Sequence, residues 1–160
     1  MKGKPEVLKV LQEMLEEELG ALNQYFLHGE MCENWGYKLL SKRLKKLSIT
    51  EMKHAEELIE RLLFLEGAPN LSALPKLNIG RDVRQGLQND LALEHGAVTS
   101  YNEAIATCRK AGDNGTADFL KKILADEEAH VDFFEEQLGL IEQIGTQNYL
   151  AQQLSEESQK

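Results

Sequence analysis

Four long stretches of the chain repeat apolar residues at alternating spacings of three and four, and each breaks that seam near its middle with an ionisable side chain. Such spacing lays one stripe of side chains along one helix face, the pattern of a bundle core rather than of a strand. The first seam reads Leu11, Leu15, Glu18, Leu22, Tyr25, and the second Leu40, Leu44, Leu47, Glu51, His54, Leu58. The third reads Leu87, Leu91, Glu94, Val98, Tyr101, Ile105, and the fourth Leu120, Ile123, Glu127, His130, Phe134. Four carboxylates and two imidazoles therefore point at one level of one core. Taking an unpaired carboxylate out of water costs several kcal/mol even after relaxation, and four together also repel one another. Something positive must sit among them. Basic residues are missing from the seams at that level, whereas two divalent cations would cancel the charges of Glu18, Glu51, Glu94 and Glu127.

The spacings support this reading. Glu51 with His54, and Glu127 with His130, are Glu-x-x-His pairs, which put both side chains on one helix face less than a turn apart. A single such pair arises by chance in many glutamate-rich chains. Here it repeats: Glu18 precedes Glu51 by thirty-three residues, Glu94 precedes Glu127 by the same interval, and the two halves superpose at an offset of seventy-six that also relates Tyr25 to Tyr101. Nitrogen and oxygen ligands without thiolate suit Fe, Mn or Zn, and the carboxylate-rich balance favours a redox-active hard metal such as iron. Two ferrous ions can pass two electrons to one oxidant molecule. Tyr25, further along the seam of Glu18, is an auxiliary candidate that could donate an electron or hydrogen-bond a ligand carboxylate; core packing is the other reading of it.

Helix punctuation sets the boundaries. Pro5 suits a helix start, and the first stretch runs to about Trp35 with Gly36 closing it; the second runs from about Lys38 to Glu66 and stops at Gly67. Residues 67 to 80, with Pro69, Asn70, Pro75 and Asn78, read as a connection without a helix of its own. The third stretch runs from Asp82 to Ala111, the fourth from about Asn114 to Ile144, a short amphipathic helix is expected over about 146–154, and residues 155–160 read as a frayed tail. Short connections make the first pair of helices antiparallel, and likewise the second pair. The middle connection, at roughly 45–50 Å extended, is long enough to cross a bundle of roughly 40 Å and leave helices two and three parallel. The expectation is an all-α, single-domain chain over residues 1–160, a left-handed four-helix bundle with one long crossover between helices 2 and 3 and a short fifth helix.

Composition narrows the partners. A chain of 160 residues with 42% apolar and 28% charged residues suits one helix-rich globular domain. The net charge of −9 favours cations and offers no basic stripe to a phosphate backbone, so nucleic acid is not an expected partner. The one basic run, Lys42, Arg43, Lys45 and Lys46, reads as a solvated helix face. Two cysteines, Cys32 and Cys108, fit a reducing cytosol, and no apolar run of signal-peptide or membrane-spanning length stands in the sequence. A cytoplasmic location without membrane attachment is expected.

One glutamate from each of two helices plus a Glu-x-x-His pair from each of the other two is the known ligand pattern of ferritin-like di-iron carboxylate proteins, and the match is to that pattern. Around it, NQYFLH (Asn23 to His28), NWG (Asn34 to Gly36), EMKHAEELIERLLFLEGAPNL (Glu51 to Leu71), DEEAH (Asp126 to His130) and QLGLIEQIG followed by NYL (Gln137 to Leu150) resemble the bacterioferritins almost end to end. The resemblance implies a hollow cage of twenty-four subunits built from two-fold dimers and storing ferric mineral. It implies ferroxidase activity on Fe(II), with dioxygen or hydrogen peroxide as oxidant at a centre of two Fe ions per subunit. Carried over residue by residue, Glu18, Glu51, His54, Glu94, Glu127 and His130 match the ferroxidase ligands, with Glu51 and Glu127 bridging. Met52 matches the axial ligand of haem b, bound once per subunit dimer and serving electron transfer in iron release. Met52 lies about 100° around the helix from Glu51 and so leaves the metal seam and faces outward. A second ferritin subunit and a ferredoxin-type reductant are further partners the resemblance suggests. The chain departs from the family where many members carry a His and an Asp for an inner-surface iron site: here Lys46 and Thr50 stand there, and Lys45 stands where an aromatic residue is common. A haem-free bacterial ferritin and a slow or regulatory subunit of a mixed cage remain as alternatives.

Overall fold

In a computed structural model that describes residues 1–154, the four seams become four long helices: α1 (Pro5–Asn34), α2 (Lys38–Phe64), α3 (Val83–Lys110) and α4 (Asn114–Ile144), followed by a short helix, α5 (Thr146–Ala151). Local chemistry fixes the ends. Pro5 occupies the first turn of α1, where its missing N–H costs nothing. The carboxylates of Asp82 and Asp113 cap α3 and α4 by accepting from the backbone N–H of Gln85 and Thr116, at 2.8 and 2.9 Å. Gly36, Gly112 and Gly145 take the positive φ values that turn the chain after α1, α3 and α4.

Two boundaries differ from the sequence expectation. The second helix stops at Phe64, and the left-handed residue after it is Glu66 at φ 60°, not Gly67. Gly67 instead returns its N–H to the Leu62 carbonyl at 2.8 Å, satisfying one of the open carbonyls of the last turn. The fifth helix ends at Ala151, because the chain then turns so that the Gln153 carbonyl accepts from Leu39 N–H at 3.0 Å, tying the C-terminal segment to the start of α2. The frayed tail expected over residues 155–160 lies outside the described residues.

Pairing across the bundle confirms the crossover. Glu18 meets Tyr101, Tyr25 meets Glu94 and His28 meets Asp90, so α1 and α3 run in opposite directions. Because α1 and α2 are joined by a three-residue turn and pack antiparallel, α2 and α3 are parallel. Residues 65–82 connect them by running along α1. Gln12 exchanges hydrogen bonds with the Asn70 backbone, Asn78 N–H donates to Gln24 Oε1, and Gly80 N–H donates to His28 Nε2. Gly20 makes that contact possible, since a Cβ there would stand 2.4 Å from Pro75 Cγ.

The core divides in two. One apolar block gathers Leu11, Leu15, Leu58, Leu62, Leu120 and Ile123; the other gathers Tyr25, Leu40, Leu44, Leu87, Phe134 and Tyr149. Between them lies a buried polar layer. The expected solvated basic face is only partly so. Arg43 is half-buried with its guanidinium 4.6 Å from the Phe133 ring centroid, and Lys45 pairs with Glu30 at 2.6 Å. Cys32 and Cys108 are free and buried, and burial pushes their thiols up to about 12 and about 11, leaving them inert as nucleophiles. Among the described residues no helix is long and apolar enough to cross a membrane.

Candidate metal centre

The polar layer consists of the six side chains singled out from the seams. Glu18 on α1, Glu51 and His54 on α2, Glu94 on α3, and Glu127 and His130 on α4 are all buried, each near the middle of a long helix. Mid-helix backbone is hydrogen-bonded and held on both sides by an apolar block, which fixes the direction of each side chain better than a loop would.

Two overlapping groups form. Glu18, Glu51, His54 and Glu127 bring one ligand atom each to within 4.8 Å of one another, and so do Glu51, Glu94, Glu127 and His130. Glu51 and Glu127 belong to both. The His54 Nδ1 lies 2.9 Å from Glu127 Oε1, 3.1 Å from Glu51 Oε2 and 3.5 Å from Glu18 Oε2. His130 Nδ1 lies 2.7 Å from Glu51 Oε1, 3.2 Å from Glu94 Oε1 and 3.8 Å from Glu127 Oε2. The two imidazoles stand 6.3 Å apart, centroid to centroid.

Several of these approaches are not hydrogen bonds. Glu51 Oε1, Glu94 Oε2 and Glu127 Oε1 are shut off from water and accept none, although imidazole nitrogens come within 2.7 Å of the first and 2.9 Å of the third. Buried orphan oxygens are costly, and acceptor atoms converging on a common point fit a cation better than one another. The donor set, four carboxylates and two imidazoles without thiolate, suits iron, manganese or zinc.

The proton inventory agrees. Burial, then the charge of Glu51, pushes Glu18 well above the usual carboxylate range; burial, then the contact with Glu127, does the same to Glu94. Burial also opposes ionisation of Glu51 and Glu127, but close contacts with Glu18 and both histidines outweigh it at Glu51, and contacts with Glu94 and both histidines at Glu127, so both fall below the ordinary value. Burial disfavours the imidazolium forms, yet contacts with the glutamates lift His54 and His130 far above the ordinary histidine value. Glu18 and Glu94 thus resist ionisation while Glu51 and Glu127 favour it, beside two imidazoles that favour the charged form.

Three contacts were not read from the sequence. His54 Nε2 lies 2.8 Å from Asp126 Oδ2, which holds the ring proton on Nε2 and turns Nδ1 towards the centre. The residue immediately before Glu127 was a signal available in the DEEAH segment. Tyr101, a member of the third seam, donates its hydroxyl to Glu18 Oε1, while Tyr25 donates across the bundle to Glu94 Oε1. The two tyrosines therefore serve opposite halves of the site, and burial keeps both phenols protonated as donors. Glu17, half-buried beside the centre and hydrogen-bonded to Ser100, is the third; burial raises its carboxyl. Met52 takes no part in the cluster: it stands 53% exposed on the outer face of α2 with Ile49, one turn earlier, also exposed. Lys46 and Thr50 lie on α2 without entering either ligand group.

Comparison with known proteins places the site in context. Residues 8–144 match the family model of the ferritin-like domain. The chain is 43% identical to the bacterioferritin of Mycobacterium leprae over 97% of its own length and 98% of the relative's. It is 45% identical to the bacterioferritin of Brucella melitensis, over 93% of this chain and 92% of that one, and 46% identical to the bacterial ferritin of a Synechocystis strain, over 97% and 100%.

Proposed function

As this chain belongs to the bacterioferritins, iron-storing ferroxidases of the ferritin-like fold with a buried di-iron carboxylate site, we propose that Glu18, Glu51, His54, Glu94, Glu127 and His130 are its iron ligands. Glu51 and Glu127, common to both ligand groups, would hold both ions, Glu18 with His54 would complete one position, and Glu94 with His130 the other. The observation that carries this reading is the sharing of Glu51 and Glu127 between two ligand groups in the polar layer between the two apolar blocks. Two ferrous ions give up one electron each. Dioxygen takes both with two protons and leaves as hydrogen peroxide; peroxide as oxidant takes two electrons and two protons and leaves as water. Shutting the centre off from bulk water strengthens the pull of the carboxylates on the developing ferric charge. Tyr25 and Tyr101 hold the outer carboxylates of the two positions in place, and Tyr25 is in addition placed to serve as an auxiliary electron donor.

The ferric product is stored in a shell of twenty-four copies built from two-fold dimers, in the cytoplasm, with a ferredoxin-type reductant for release. Met52, exposed on the outer face of α2, would hold a haem b between two copies of the chain. Haem bound there would supply a one-electron relay for iron release. Lys46 and Thr50 argue against an inner-surface iron site, because a lysine repels ferrous iron.

Stopped-flow oxidation of two ferrous ions per chain tests the centre. Glu18→Ala and His130→Ala are expected to abolish the fast phase, and an unaltered phase in both would overturn the ligand assignment. Native mass measurement decides between a shell of one kind of chain and one with a second subunit. A bis-methionine haem spectrum that disappears in Met52→Ala supports the haem site; purified protein without that spectrum supports the haem-free alternative.

A further inference from the structure

We propose that the first turns of α2 hold an oxyanion of the inorganic phosphate class, bound by Lys38, Lys42, Lys45, Lys46 and the hydroxyl of Ser41. The chain carries −9 in all, yet from Lys38 to Lys46 it has five basic residues and no acidic one. These positions open a helix. A helix presents free N–H groups and the positive end of its dipole at its N-terminus, so carboxylates are favoured there and lysines are not. The first helix follows that rule with Glu6 in its first turn, the third and fourth with Asp82 and Asp113 at their caps. In α2, Tyr37 makes no side-chain cap and no acid stands in the first turn. Positive charge is thus added to the positive end of a helix, a cost that a bound anion offsets.

The lysines border one cleft. It has a volume of about 450 Å³ and is lined by Lys38, Lys42, Lys45 and Lys46, with Glu33 of α1 as the one carboxylate on its wall. That is many times the ~30 Å³ share of one water, so a tetrahedral anion fits with part of its hydration shell. Lys45 is drawn to Glu30 at 2.6 Å, whereas Lys38 and Lys46 have no ion pair among the described residues. Ser41 is an independent mark of a ligand. It borders the same cleft, is 1% exposed, and its hydroxyl has no hydrogen-bond partner. A helical hydroxyl can turn back to the carbonyl four residues earlier, as those of Thr50, Thr99 and Thr107 do in this chain; that of Ser41 does not. Leaving it unpaired inside the protein is costly, and a ligand oxygen in the cleft would accept from it. Ammonium groups hold a phosphate as point charges from several sides while a serine O–H donates to one of its oxygens. Chloride answers the charge alone.

The assay is equilibrium dialysis of the assembled, metal-free protein against radiolabelled inorganic phosphate, at an ionic strength fixed with potassium chloride. Saturable uptake is expected, and Lys38→Gln and Lys46→Gln should each weaken it at least about threefold. Ser41→Ala should weaken it about three- to tenfold, the worth of one hydrogen bond. Because that hydroxyl has no partner to lose, Ser41→Ala should not lower the urea midpoint of the phosphate-free protein, which separates a lost contact from a damaged fold. Glu33→Gln, which removes the opposing carboxylate, should tighten binding. The absence of saturable uptake by the assembled protein would overturn the proposal, the lysines then being matched by a neighbouring copy. Uptake that Ser41→Ala leaves unchanged would overturn it too, since that is the mark of a diffuse counterion cloud over exposed lysines.

Discussion

Metal loading should release about four protons per chain. In the metal-free site, burial favours the protonated forms of Glu18 and Glu94, and the surrounding glutamates favour the imidazolium forms of His54 and His130 and the ionised forms of Glu51 and Glu127. Ligation needs all four carboxylates ionised and both imidazoles neutral. Two protons leave the acids, two leave the rings, and two dications replace them. The sign follows directly: protons compete with metal, and raising the pH favours loading. At about 1.36 kcal/mol per proton per pH unit, four linked protons shift the summed free energy of binding the pair by about 5.4 kcal/mol per pH unit near neutrality. Titrating weakly buffered, metal-free protein with Zn(II) in the presence of a pH indicator measures the release. Glu18→Gln, which keeps the volume and removes one acid, should lower it to about three. Release of one proton or fewer per two cations would refute the assignment of charges.

Asp126→Ala removes the acceptor that orients His54 and is expected to weaken metal binding about 10- to 100-fold, as loss of such outer partners generally does, with the fold intact by circular dichroism; competition with a coloured chelator measures it. Tyr101→Phe leaves Glu18 Oε1 without its donor inside the core and should cost about 1–3 kcal/mol in urea unfolding of the metal-free protein. Gly80→Ala places a Cβ 2.2 Å from the Gly86 backbone nitrogen, so the crossover must lift from α3 and break the Gly80 to His28 bond; a loss of at least about 2 kcal/mol is expected in the same assay.

The metal layer was legible in the sequence because helical periodicity is a local property. Once residues 5–34, 38–64, 83–110 and 114–144 are helices, spacings of three and four decide which side chains share a face, and Glu51 with His54, or Glu127 with His130, must point the same way. The repeat at seventy-six residues then matched one half of the site to the other. Even the parallel course of α2 and α3 followed from loop length alone.

What the sequence did not reveal depends on the neighbours of each helix. Periodicity cannot tell that Tyr25 reaches Glu94 while Tyr101 reaches Glu18, because those contacts depend on how α1 and α3 are set against each other along their length. It cannot tell that Asp126, on the solvent side of its own helix, leans over to a histidine of α2, or that Arg43 covers Phe133. Nor does it show that Glu66 rather than Gly67 takes the left-handed conformation after α2. Chain order fixed which residues face inward. Only the packed bundle decided which of them touch, and with that which groups favour their protons in the metal-free site.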